Sequence, residues 1–285
     1  MDHDVSGAAA ADRADLAAGV VTREASEHEI TAVLERFEAT WGEGRGPDDA
    51  MIRALLHAGA TVLVAVVVDE GGVDASATPP YAAPGELLGA TLGFLGWNEG
   101  LHLHSHMNAV SPAARGHGIG LALKLRQRAL ALAHGVDEIR WTFDPLIRRN
   151  ARMNLVRLGA EVAAYLPEFY GVIGDAITGA DRSDRFEVRW RLDSARVARA
   201  LAGEPAPSWA AEHGFALDAD FETLRRDDPV AASRLRAASV EAFTAMARQG
   251  LRPELDAHGD YVFTADDADR TDDPDDPDRP EQETR

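Results

Sequence analysis

The chain contains no cysteine. That excludes disulfides, a thiolate nucleophile and thiolate-ligated zinc together. It leaves the compartment open, because disulfide-free chains are common in a reducing cytosol. Lysine is nearly missing as well. Lys124 is the lone lysine among 29 basic residues, which reads as a compositional bias. The longest apolar run, around Ala60–Val68, falls far short of the roughly 20 residues that span a bilayer. The first residues lack a positive start followed by an apolar run, so no secretory leader is expected. The GxGxxG and GxxxxGK[ST] phosphate-loop patterns are missing, and so is a serine nucleophile elbow. There is no internal repeat. These absences give the expectation of a soluble, cytoplasmic protein.

What remains is 285 residues, 45% of them apolar, with a net charge of −19. That is enough for one large domain or two small ones with a real core. The acidic balance excludes nucleic acid and anionic membranes as expected partners, and it favours a cationic acceptor. Residues 265–285 hold ten acidic and three basic side chains and read as a disordered acidic tail. Residues 1–19, rich in Ala and Asp without a clear period, also read as disordered.

Between these ends the pattern is ordered. Residues 20–25 predict a strand, and Ser26 with Glu29 predicts a capping box ahead of a helical stripe of Ile30, Val33, Leu34 and Phe37. A second short helix runs from Asp48 to His57. The β-branched run 61–68 predicts a strand covered on both faces. Strands follow over 86–96 and 101–110, then a long helix over 118–134 and a strand over 138–143. Asn150 is expected to cap a helix that stops at Gly159. Strands over 161–165 and 185–192 complete the pattern. The prediction is an α/β (α+β) fold, with a mixed sheet layered by helices. The domain spans 20–194, and a helical C-terminal extension or subdomain spans 195–264, with Tyr261–Phe263 as a last strand.

The chemistry concentrates in Ala109-Val-Ser-Pro-Ala-Ala-Arg-Gly-His-Gly-Ile-Gly-Leu121. A strand ends there and a helix opens after a glycine-rich loop. Glycines let the backbone curl and approach a ligand closely. The opening helix aims free N–H groups and the positive end of its dipole at the loop. An anion is therefore held with few charged side chains, and Arg115 adds one cation.

The stretch Arg115-Gly116-His117-Gly118-Ile119-Gly120 resembles the [QR]xxGx[GA] motif of GNAT N-acetyltransferases. Arg148-Arg-Asn-Ala-Arg-Met-Asn-Leu-Val-Arg-Leu-Gly-Ala160 is similar to the family's second signature. The resemblance covers about residues 20–194. It implies a mostly antiparallel sheet with helices on both faces and acetyl-CoA, or another acyl-CoA, as co-substrate. The loop from Arg115 to Gly120 would grip the pyrophosphate, Ala109 and Val110 would pair with the pantetheine arm, and Asn150 or Asn154 would bond it or order a water. The activity implied is N-acyl transfer by direct attack of a small-molecule or peptide amine, without a metal. A homodimer stays open. One departure stands out: the tyrosine that protonates the departing thiolate in many members is replaced by Leu155. Tyr165 and Tyr170 could serve only if the fold brings them back. A non-catalytic acyl-CoA-binding module is the alternative.

An amine nucleophile needs a base beside the thioester. His102, His104 and His106 alternate, so they share one strand face. His106, nearest the loop, is the first candidate, and Asp144 at the end of the next strand is the second. A zinc site on the three histidines is a further alternative, without a visible additional ligand group.

Overall fold

The computed structural model describes residues 2–68, 82–171, 174, 181–211 and 213–266. The acidic stretch from 267 onward lies outside them. The order is α1 (Asp2–Ala18), β1 (Val20–Glu24), α2 (Ile30–Trp41), α3 (Asp49–His57), β2 (Thr61–Val67), β3 (Leu87–Gly96), β4 (His102–Val110), α4 (Ile119–Ala133), β5 (Glu138–Phe143), α5 (Arg148–Ala151), β6 (Glu161–Leu166) and β7 (Arg185–Arg191). The C-terminal part adds α6 (Ala195–Leu201), β8 (His213–Phe215), α7 (Phe221–Asp227), α8 (Pro229–Arg248), β9 (Arg252–Leu255) and β10 (Tyr261–Thr264).

The first seven strands form one sheet in the order β1-β2-β3-β4-β5-β7-β6. Every pairing in it is antiparallel except β4 with β5. Strand alternation distributes the two cores. Val62 and Val64 of β2 pack with Ile30, Val33 and Phe37 of α2 on one face. Leu63 and Ala65 pack with Ile119 and Leu123 of α4 on the other. This is why β2 reads as a continuous apolar run.

Three expectations are corrected. Residues 2–18 form α1 instead of remaining disordered. Alanine is the strongest helix former, Ala11 is buried, and the buried Asp15 accepts hydrogen bonds from the Thr22 amide (2.9 Å) and from Arg126 of α4 (2.8 Å). The signal was missed because small residues make a shallow apolar stripe. The second correction concerns Asn150, which does not cap its helix. That helix begins at Arg148 with Ile147 as N-cap and then widens into a π-helical segment, Arg152–Arg157. The left-handed Gly159 (φ 70°) follows it, where a Cβ would meet Ala200 at 2.9 Å.

The third correction is to the C-terminal extension. Besides the expected strand at 261–263 it holds β8 and β9, and with β10 they form a second sheet. It does not hold a core of its own. Phe243 of α8 stacks against Phe186 of β7 (4.7 Å) and Tyr261 of β10 (5.5 Å), so both parts share one core.

Candidate active site

The parallel β4–β5 pair is short. Leu103 lies opposite Ile139 and His104 opposite Arg140, and the pairing ends there. β4 nonetheless stays paired with β3 as far as Val110. From Ser105 to Val110 the edge of β4 that faces β5 is therefore not paired with it. A bulge accompanies the parting: Leu92 pairs with Met107 and Gly93 with Ser105, which leaves His106 as the extra residue. The result is a wedge-shaped gap in mid-sheet, with backbone groups along one wall.

The loop closes one end of this gap. A 3₁₀ turn, Pro112–Ala114, follows β4. Gly116 and Gly118 both adopt left-handed backbone (φ 85° and 89°), which explains why glycine stands at these two positions. A Cβ on Gly116 would meet nothing within 4 Å, so the loop presents open backbone. Gly118 is the N-cap of α4, and its carbonyl accepts the first helical bond, from Ala122. The amides of Ile119, Gly120 and Leu121 precede that donor, ahead of the first intrahelical bond. Arg115, Gly116 and His117 are exposed, Gly118 and Gly120 half-buried, and Ile119 buried.

Positive charge gathers at this loop in an acidic chain. Burial lowers the pKa of the Arg149 guanidinium, and the charge of the neighbouring Arg115 lowers it further. Sequence reasoning passed over Arg149. Beside the first turns of α4 runs a groove of ≈ 470 Å³ whose lining includes Leu121, Leu125, Arg13, Arg152 and Arg157. Ala109 is buried and Val110 half-buried at the end of β4. One residue earlier, Asn108 keeps its Oδ1 buried without a hydrogen-bond partner. Asn154 is buried in the π-helical segment, and Asn150 is half-buried in α5.

The three histidines do share a face, but they differ in role. His102 is buried, bonds the Gly100 carbonyl through Nδ1 (3.0 Å) and fills the space beside Gly96. It braces the β3–β4 hairpin. His104 and His106 lie 6.1 Å apart, each packed on Phe94. Burial, then the charges of His106, His102 and Lys124, push His104 down to about 4. Burial also lowers His106. Both imidazoles are therefore neutral at pH 7 and able to accept a proton. Among the described residues, no group of three or more His, Asp or Glu side chains could hold a metal ion.

Across the gap, Thr142 of β5 meets the Tyr170 hydroxyl at 3.1 Å. The loop after β6 thus does carry a tyrosine back to the sheet. Tyr165 instead has a buried hydroxyl with no partner, and burial raises its pKa. Leu155 is buried in the core.

Asp144 is placed differently from His106. Its two oxygens receive Arg236 of α8 at 2.9 and 2.7 Å, and Oδ1 also accepts the Leu146 amide (3.0 Å). Arg236 bonds Asp181 as well (2.8 Å). A carboxylate held in this way fastens the C-terminal extension to the end of β5.

On the opposite face from the histidines stands a feature that composition alone misread. The Lys124 side chain is buried. Its Nζ donates to Ser105 Oγ (2.8 Å) and sits 3.7 Å from the centre of the Trp141 ring.

No protein-family model matches the sequence, and no curated protein matches it either. Solved structures of acetyltransferases are loosely similar to it. An N-acetyltransferase from Staphylococcus aureus Mu50 is 15% identical, with a TM-score of 0.45 over 61% of this chain and 99% of that one. YncA from Salmonella typhimurium, solved with acetyl-CoA, is 20% identical, with a TM-score of 0.44 over 67% and 99%. A GNAT superfamily phosphinothricin acetyltransferase from Sinorhizobium meliloti, in complex with AcCoA, is 16% identical, with a TM-score of 0.44 over 60% and 87%. These are likenesses of fold alone. They are too loose to carry an argument about ligand or activity.

Proposed function

We propose that this chain is an acyl-CoA-dependent N-acyltransferase. The observation that carries the reading is the gap between β4 and β5, closed by a left-handed glycine loop at the N-terminus of α4. Such a gap suits an extended pantetheine arm lying along the free edge of β4 at Ala109 and Val110. The loop from Arg115 to Gly120 suits a pyrophosphate, gripped by helix N-terminal amides with Arg115 and Arg149 as local cations. The groove beside Arg13, Arg152 and Arg157 suits the nucleotide end. The buried Oδ1 of Asn108 offers an acceptor to an amide N–H, a fit that a purely structural turn would not need.

With the thioester in the gap, the acceptor amine approaches from the face of His104, His106, Thr142 and Tyr170. Proximity supplies most of the rate. His106, neutral and at the bulge, takes the proton from the attacking amine. Asp144 is not the base in this reading, because Arg236 and the Leu146 amide occupy its oxygens. The acceptor is a small-molecule or peptide amine, and the net negative charge favours a cationic one.

A second reading, an acyl-CoA-binding module without turnover, draws support from Leu155, which offers no proton. One assay separates the two. Thermal unfolding is followed with and without acetyl-CoA, and thiol release is followed over a panel of amines. A chain without cysteine adds no thiol background to the second measurement. Stabilisation with thiol release is expected. Stabilisation without release would favour the binding module, and no stabilisation would overturn both.

A further inference from the structure

Lys124 is the chain's lone lysine, and it is buried with no carboxylate beside its Nζ among the described residues. Its hydrogen-bond partner is a neutral hydroxyl, and its other neighbour is the face of an indole. Packing gains little from such an arrangement, since an uncompensated buried ammonium costs several kcal/mol. Its position is specific. The last β4–β5 pairs are Leu103 with Ile139 and His104 with Arg140. Continuing that register brings Ser105 opposite Trp141. These are the first two residues beyond the point where the strands part, and Nζ touches both. Lys124 therefore reaches from α4 to the apex of the gap, on the face opposite His104 and His106.

Resting on the acyl-transfer reading, we infer that Lys124 is the acid that protonates the departing thiolate of coenzyme A. The acceptor nitrogen attacks the thioester carbon from the histidine face, and its surplus proton passes to His106. The C–S bond breaks and its electron pair stays on sulfur. The Lys124 ammonium gives its proton to that sulfur, which leaves as the thiol, and the amine is recharged from the proton lost by the acceptor. The products are an amide and a free thiol, and the enzyme ends as it began. Base and acid stand on opposite faces of one sheet, with the reacting bond in the gap between them. Burial lowers Lys124 to about 7, where an ammonium both persists and gives up its proton readily.

The test compares two acyl donors in the full-length chain. One is acetyl-CoA, whose thiol is a poor leaving group. The other is S-(4-nitrophenyl) thioacetate, whose far more acidic thiol leaves without a proton. Lys124→Met is expected to lose about 10²-fold in thiol release from acetyl-CoA and to regain most of that loss with the activated ester. Its thermal stabilisation by coenzyme A should be unchanged. Ser105→Ala, which releases Nζ with a minimal change of volume, should show the same donor selectivity at smaller amplitude. Equal losses with both donors, or no loss with acetyl-CoA in either variant, would overturn the assignment. If the wild-type chain binds acetyl-CoA and releases no thiol with any amine, the acyl-transfer reading falls too. That failure is recognisable because wild type and variants then behave alike.

Discussion

Replacing Lys124 by Met should make the protein more stable, and by an amount that depends on pH. The folded chain holds this amine at about 7 because burial opposes its charge, against an ordinary 10.5. The gap is worth about 5 kcal/mol. Its sign follows from proton counting. Between the two values the unfolded chain carries a proton that the folded chain does not, so stability rises with pH. The cost is full below about 7, shrinks through about pH 9 and is gone above about 10.5. The Ser105 hydroxyl and Trp141 ring beside Nζ do not titrate in this range, and His104 across β4 is already neutral. Methionine removes the charge, keeps the volume and forfeits one hydrogen bond worth about 1 kcal/mol. Other pH-dependent groups cancel between the two chains. Lys124→Met should therefore gain about 2–4 kcal/mol at about pH 6.5 and nothing at about pH 10. Urea unfolding of both chains at several pH values measures this difference directly. A gain that stays constant with pH, or a loss at neutral pH, would refute the claim that this lysine is held against its charge.

Three other outcomes are expected. His106→Gln should lower kcat/KM by about 10²-fold. In the wild type the rate should fall as pH drops through the lowered imidazole pKa, which puts the acid limb below about 6.5 in a pH–rate profile. Gly118→Ala forces a left-handed backbone of φ 89° on a residue with a Cβ, costing about 1–2 kcal/mol. It should abolish thermal stabilisation by coenzyme A while circular dichroism shows the fold retained. Arg236→Met leaves Asp144 and Asp181 without their shared guanidinium and should cost about 3–5 kcal/mol in denaturant unfolding.

The sequence announced those parts of the fold whose causes are local. The Ser26–Glu29 capping box, the short helix ending at His57 and the apolar run of β2 each depend on residues a few positions apart, and each is present. The glycine loop was legible for the same reason, because left-handed backbone at Gly116 and Gly118 is a local demand. What escaped depends on distant partners. Asp144 reads as a base until Arg236, 92 residues later, takes its oxygens. Lys124 reads as an accident of composition until α4 sets it against Ser105 and Trp141. Arg149 draws no notice until the fold brings Arg115 beside it. α1 hides because alanines and a buried aspartate leave no strong period.

Two adjacent arginines in α5 have a consequence for how this chain could be divided. Arg148 reaches into the extension and bonds the carbonyls of Leu217 (2.5 Å) and His258 (2.7 Å) and the carboxylate of Asp260 (2.6 Å). Its neighbour Arg149 pairs with Glu222 of α7 while lying within the field of Arg115 at the glycine loop. The segment after residue 194 thus supplies counter-ions to the same short helix that stands beside the glycine loop. Cutting there would not free a smaller folded unit. It would strand Arg148 and Asp144 and expose Phe186, so the two stretches have to be inherited, expressed and engineered as one unit.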